Sequence, residues 1–327
     1  MVAMKALTTL LCPLALLAAT SCAPRPAPST PPGDVRFTAP ELYPEGVAFD
    51  PTTGGFFVGS LRHGVVGRVV PDGRYSPFAE AGPLVSTQGI AVDAARGRLL
   101  VVGGDLGVGA RSSETTQERQ AGLAAYDLDT GALLTYVPLD GLTPGRHHAN
   151  DLALDADGTA YVTDSFAGVV YRVTPGGEAS VFAQDAAFAS EHVGLNGIVV
   201  HPAGFLLVVH SESGRLFRVD LRDPSRVAPV SLPEALVGAD GLLLLDGERL
   251  VVVQNEGRDR TLLLRSDDGW RSASVTAEVP SVLPFPTTAT RAGDAVFVLN
   301  AKLEEIFDPE AAHSSDFLLQ RVTFEAF

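Results

Sequence analysis

Glu45, Gln88, Asn150, Asn196, Asp240 and Thr287 each stand at the head of a short apolar run, and all six carry side-chain oxygen. None is His, Cys or Lys. If they converge on one point, two carboxylates and a set of neutral amides make a site for a hard divalent cation. Ca²⁺ is favoured over Zn²⁺ because neither nitrogen nor sulfur is offered, and the two carboxylate charges balance the ion. The Asn-Gly and Asp-Gly pairs admit a plainer explanation, turn geometry ahead of a strand. That accounts for any one pair but not for Glu45, a poor turn residue.

The heads recur at steps of 43, 62, 46, 44 and 47 residues, and each opens the same unit of short strands and Gly-rich turns, the pattern of a β-propeller blade. The unit from Asn150 is the most regular. Leu152 to Leu154, Thr159 to Thr163, Val169 to Val173 and Ala179 to Ala183 read as four strands, separated by Asp155 to Gly158, Asp164 to Gly168 and Pro175 to Gly177. Second strands are expected at Phe56 to Val58, Leu99 to Val102, Leu206 to Val209, Leu250 to Val253 and Val296 to Leu299. Third strands follow at Val65 to Val70, Leu123 to Leu128, Leu216 to Asp220 and Thr261 to Arg265. The sixth unit ends after its third strand, Phe317 to Phe324, and an unassigned strand, Val35 to Thr38, precedes the first unit. Pairing the two closes the ring and removes two open sheet edges. The expected fold is all-β: a six-bladed propeller over residues 34 to 327, four antiparallel strands to a blade.

Strand direction then places the heads and the second-to-third loops at one end of the channel. Two of those loops are long, Gly103 to Gly122 and Ala301 to Asp316, and are expected to overhang this mouth. Arg62, His63, Asp164, Ser165, His210, Glu212, Asn255, Glu256 and Lys302 lie in such loops as candidates for substrate contact, although loops are polar without any function.

Residues 1 to 21 read as a secretory leader, with Lys5, an apolar stretch and small residues before Cys22. The segment resembles a bacterial lipoprotein signal, which implies an acylated Cys22, a Pro-rich tether over residues 22 to 33, and an exported domain held at a membrane by the lipid alone. Ala19 departs from the leucine usual three positions before the cysteine. Cys12 and Cys22 are the only cysteines, so the domain is left without a disulfide or a catalytic thiolate. Net charge is −15, and no arginines cluster. A chain that neutralises phosphates needs a basic face, so nucleic acid is not expected as a partner. A monomer acting on a small molecule is.

The words Pro44-Glu45-Gly46, Asn150-Asp151 ahead of Asp155-Ala156-Asp157-Gly158, Leu195-Asn196-Gly197 and Ala239-Asp240-Gly241 resemble those of the senescence-marker-protein, gluconolactonase and regucalcin family. The likeness runs from Glu41 to Leu299. It implies a calcium-dependent six-bladed hydrolase of a lactone or related ester. Glu45, Asn196 and Asp240 match the family's metal ligands, Asn150 a residue that touches metal or substrate, and Asp240 also the carboxylate that activates water. Such a site suits hydrolysis, since a cation polarises a carbonyl while a carboxylate at its edge takes a proton. Gln88 and Thr287 have no family counterpart and are read as substrate contacts, together with Arg62, His63 and His147. The sugar-binding arginine of gluconolactonases has no match, because Arg146 lies four residues before Asn150. His147 and His148 stand there instead, as proton shuttles at the mouth or as solvated loop histidines; His148 is taken with Asp240 as catalytic.

A non-catalytic propeller with a structural Ca²⁺ and a phosphotriesterase-like hydrolase are the competing readings. Gly103 to Gly107 lacks the GK[ST] of a phosphate loop. Ser60, Ser86 and Ser165 lack the strand-to-helix elbow of a serine nucleophile.

Overall fold

The computed structural model describes Met1 and residues 33–80 and 82–325. The expected leader, most of the tether and the acylation of Cys22 lie outside them. Among the described residues six four-stranded antiparallel sheets follow one another along the chain, with a single turn of α-helix, Glu304–Phe307. The first strands of neighbouring sheets touch one another all round the ring, which makes them the innermost strands of a six-bladed propeller.

Alternation and burial explain the blades. Second strands are covered on both faces by adjacent blades, so they read as unbroken apolar runs: Phe56–Val58, Ala160–Asp164, Phe205–His210 and Ala295–Asn300 are buried at every position. Fourth strands form the rim and are half exposed, as in Ala179–Gln184. The core is accordingly divided into six clusters between blades. In one of them Phe56 of the first blade meets Phe297 of the sixth with ring centroids 4.9 Å apart. Val35–Thr38 pairs antiparallel with Asp316–Val322, Val35 opposite Leu319, and supplies the outermost strand of the sixth blade. The ring is closed by its own first strand, as the missing fourth strand of that blade required.

The strand heads differ from the expectation in one respect. Asn150, Asn196, Asp240 and Thr287 do not precede their strands but lie inside them, in Ala149–Leu154, Leu195–His201, Ala239–Leu244 and Pro286–Ala292. Each strand has a register shift there, so that two residues oppose one on the second strand. A bulge of this kind turns a side chain out of the pleat.

Turn geometry is not what the following glycines provide. Gly46, Gly89, Gly197 and Gly241 all have ordinary φ. A Cβ on Gly46 would strike Gln88, one on Gly89 Asp151, one on Gly197 the Asp240 carbonyl, and one on Gly241 Thr288. Each glycine lets the next blade's head strand come close. We expect Gly197→Ala to push the inner strands of blades four and five apart, cost about 2 kcal/mol or more in denaturant unfolding, and weaken any ligand held by Asn196 and Asp240.

Candidate functional site

Five of the six heads meet. Glu45, Gln88, Asn150, Asn196 and Asp240 line one cavity of about 470 Å³ at the axial mouth, and His148, Ser211, Asn255 and Glu256 line it with them. Both long loops reach it, through Leu106 and through Leu303, Glu304, Phe307 and Asp308.

The orientation of the amides follows from what their NH₂ groups do. Asn150 Nδ2 donates to Ser165 Oγ at 3.1 Å, and Ser165 Oγ donates in turn to the Leu195 carbonyl at 2.7 Å. Asn196 is hydrogen-bonded to the Asp240 carboxylate. Asn150 Oδ1 and Asn196 Oδ1 are buried acceptors with no hydrogen-bond partner. An unpaired buried acceptor costs about 1–3 kcal/mol, so two beside a pair of carboxylates form a donor set that a hard cation satisfies. Gln88 differs: its buried Nε2 is the atom without a partner, and it offers the cavity a donor.

The carboxylates are crowded. Glu45 is held well above the ordinary carboxylate range by burial and then by Asp240 and Asp151. Asp240 is raised by burial and by Asp151, against hydrogen bonds from Asn255 and Asn196. Asn255 Nδ2 donates to Asp240 Oδ2 at 2.6 Å. Asp151 is a third carboxyl, pushed up to about 7 by burial, although it accepts from Leu152 N at 2.8 Å and Ile198 N at 3.3 Å. Among the described residues no three His, Cys, Asp or Glu side chains form a metal cluster; neutral amides complete the donor set. Raised carboxyls favour the metal-free fold when protonated, so that fold loses their contribution as pH rises from their unfolded values near 4 through the raised ones. A cation must displace the same protons. If a divalent cation binds there, its affinity should climb from pH 5 to 8 with proton release, which calorimetry in buffers of different ionisation enthalpy measures; binding independent of pH would contradict it.

Of the residues read from sequence as site residues, four lie elsewhere. Thr287 is fully buried and its hydroxyl donates to the Glu45 carbonyl at 2.7 Å, tying blade six to blade one. Arg62 Nη1 donates to the Val108 carbonyl at 3.0 Å and steadies the long loop of blade two. His63 Nε2 contacts the Pro40 carbonyl at 3.2 Å. The two adjacent histidines are buried, not solvated, and they differ. His147 uses both ring nitrogens, on Asp164 Oδ2 and the Thr143 carbonyl, each at 3.0 Å, and the Asp164 bond raises its pKa. His148 lines the cavity, its Nδ1 has no partner, and burial lowers its pKa to about 4 despite Asp164. A neutral imidazole beside the oxygens results.

Sequence reading assigned no role to Asp151 and did not separate Asn255 and Ser165 from other loop residues. Their common signal is position. Ser165 and Asn255 immediately follow fully or largely buried second strands, where each fixes a neighbouring head.

Comparison with known proteins finds the same propeller fold elsewhere. No established family profile matches the chain. The trichothecene biosynthesis protein 14 of Trichoderma arundinaceum is 24% identical over 332 residues, covering 92% of this chain and 91% of the relative. The crystal structure of the Malassezia sympodialis allergen Mala s 1 superposes with a TM-score of 0.70 at 18% identity, over 89% of this chain and 96% of the allergen. Regucalcin from Agrobacterium tumefaciens, a calcium-binding protein, matches with a TM-score of 0.60 at 17% identity, over 89% and 94%. A gluconolactonase-family structure and the luciferin-regenerating enzyme are also structural neighbours. At these identities the likeness establishes the fold.

Proposed function

We propose that this chain is a hydrolase of a lactone or related ester that works with a divalent cation held by Glu45, Asn150, Asn196 and Asp240, calcium by the chemistry of the donors. The observation that carries the reading is the pair of buried amide oxygens, Asn150 Oδ1 and Asn196 Oδ1, left without partners beside two buried carboxyls. Regucalcin's calcium binding and the gluconolactonase-family neighbour support it by analogy, which for activity is weaker than the site chemistry.

When bound, the cation supplies Lewis acidity to a carbonyl oxygen and brings the carboxyls to their ionised form. The chain's own groups do the rest. Asn255 anchors one oxygen of Asp240, so the carboxylate is oriented for taking a proton from the water that attacks the carbonyl carbon. The acyl C–O bond breaks, and the departing oxygen is protonated, leaving acid and alcohol. His148, neutral at physiological pH, lines the same cavity as a relay for that proton. Gln88 Nε2 is a free donor for a substrate oxygen. From the leader we further propose an exported, lipid-anchored protein.

Hydrolysis of aldonolactones, acyl lactones and aryl esters by residues 33–327, with calcium and after chelation, tests the reading. Turnover that chelation abolishes and calcium restores is expected. Calcium-dependent stabilisation with no turnover of any ester would favour a structural ion in a binding propeller.

A further inference from the structure

Part of the cavity wall has a different character. Leu61, Leu106, Val193, Phe285, Leu303 and Phe307 form it, drawn from loops of four different blades. Phe285 is held there at a cost to its backbone. Its φ is 53°, in the left-handed region that bulky residues seldom adopt. Its N–H donates to Asp259 Oδ1 at 3.2 Å, and its carbonyl accepts from Ala301 N at 3.0 Å. Strain of this kind persists only where the surroundings over-determine it, and these two backbone hydrogen bonds fix the segment that carries the ring.

Charge makes the second half of the argument. Among the described residues lining the cavity there is no Lys or Arg, while Glu256, Glu304 and Asp308 stand around its outer part. Lys302, next to Leu303, directs its ammonium to Ser314 Oγ at 3.2 Å instead. Two ligand carboxylates already balance one divalent ion, so the exposed Glu256, Glu304 and Asp308 leave the cavity net negative, and an anionic ligand meets repulsion. A polyhydroxylated ring would leave hydroxyls unpaired against the apolar wall.

We propose that the cavity selects an uncharged ligand with an apolar body, an alkyl or carbocyclic lactone or ester, over a sugar lactone or an anionic ester. Only the ester group rests on the hydrolase reading; the apolar preference is a property of binding and is measured separately.

The test uses γ-dodecalactone, D-glucono-1,5-lactone and p-nitrophenyl phosphate with the calcium-loaded domain, read as hydrolysis and as calorimetric binding. We expect dodecalactone to be preferred by tenfold or more in kcat/KM, and Phe285→Ala to weaken its binding about tenfold. Phe285→Leu, which keeps an apolar group, should restore most of the loss. Calcium-induced stabilisation should be unchanged in both variants, which reports that they fold. If no compound turns over but dodecalactone binds and Phe285→Ala weakens it, the apolar selection stands and the hydrolase reading falls. Turnover of gluconolactone at least as fast as dodecalactone would overturn the selection and leave the hydrolase. Failure of dodecalactone to bind, or binding indifferent to Phe285→Ala, also overturns it.

Discussion

Asp240→Asn is expected to lower ester turnover by about a thousandfold or more and calcium affinity by at least tenfold, while the metal-free protein becomes more stable at pH 8. The three effects have one origin. Asp240 is buried with Glu45 and Asp151 nearby, and burial together with Asp151 holds its proton on well above the usual carboxylate range. Ionised, it is costly to the empty fold and essential to the loaded one. The neutral isostere removes the cost, on the order of 1–3 kcal/mol, and can still accept from Asn255 Nδ2, now at 2.6 Å. It removes the proton acceptor at the same stroke. Alanine is the wrong comparison, because it strands the Asn255 amide. Thermal unfolding with and without calcium, beside initial rates, reads all three. A variant with undiminished turnover would remove Asp240 from the mechanism. A metal-free variant less stable than the parent at pH 8 would mean that the buried carboxylate is better solvated than its surroundings indicate.

Asp164→Ala is expected to cost about 3–5 kcal/mol and to unfold the third blade first. Asp164 is fully buried and collects five hydrogen bonds. Its Oδ1 accepts from His148 N at 2.9 Å, Phe166 N at 3.1 Å and Ala167 N at 3.0 Å. Its Oδ2 accepts from His147 Nδ1 at 3.0 Å and the Tyr171 hydroxyl at 3.1 Å. Removing the carboxylate leaves buried donors unpaired on both sides of the loop that carries Ser165, and so loosens Asn150. Burial alone would raise the Asp164 carboxyl, but His147 and these amides lower it on balance. His147 is raised in return. The Asp164 contribution is present above its unfolded pKa near 3.8 and is lost as pH falls through the lowered folded value. The His147 contribution is complete below about 6.5 and is lost as pH rises through the raised one. The pair therefore stabilises fully between about pH 4 and 6.5. Asp164→Asn keeps an acceptor for the amides, so it should cost less and bring the His147 titration down, as NMR of the imidazole would show. An unmoved His147 titration would break the link.

What this sequence determined by itself was everything with a local signature. Unbroken apolar runs such as Leu206 to Val209 marked second strands, because a strand covered on both faces needs no polar alternation. The unpartnered strand Val35 to Thr38 and the missing fourth strand of the sixth unit implied each other. The heads Glu45, Gln88, Asn150, Asn196 and Asp240 were legible as a convergent set, since repetition at blade spacing carries each to the same radius and end of the ring. Ring closure decided the remainder. Thr287 shares the position of the other heads, yet its hydroxyl is spent on Glu45, 242 residues away in the chain. His147 and His148 are neighbours in sequence, but only packing against Asp164 and the cavity gives one a carboxylate partner and the other a neutral ring. Nothing local shows which end of Asn150 or Asn196 faces the axis, because the partners that hold their NH₂ groups come from elsewhere, Ser165 from a loop and Asp240 from the next blade's inner strand. The apolar wall is the extreme case: Leu61 and Phe307 come to line one cavity only when the sixth blade meets the first. Side-chain type and spacing are written along the chain, whereas hydrogen-bond orientation and cavity chemistry arise between segments that only tertiary structure brings together.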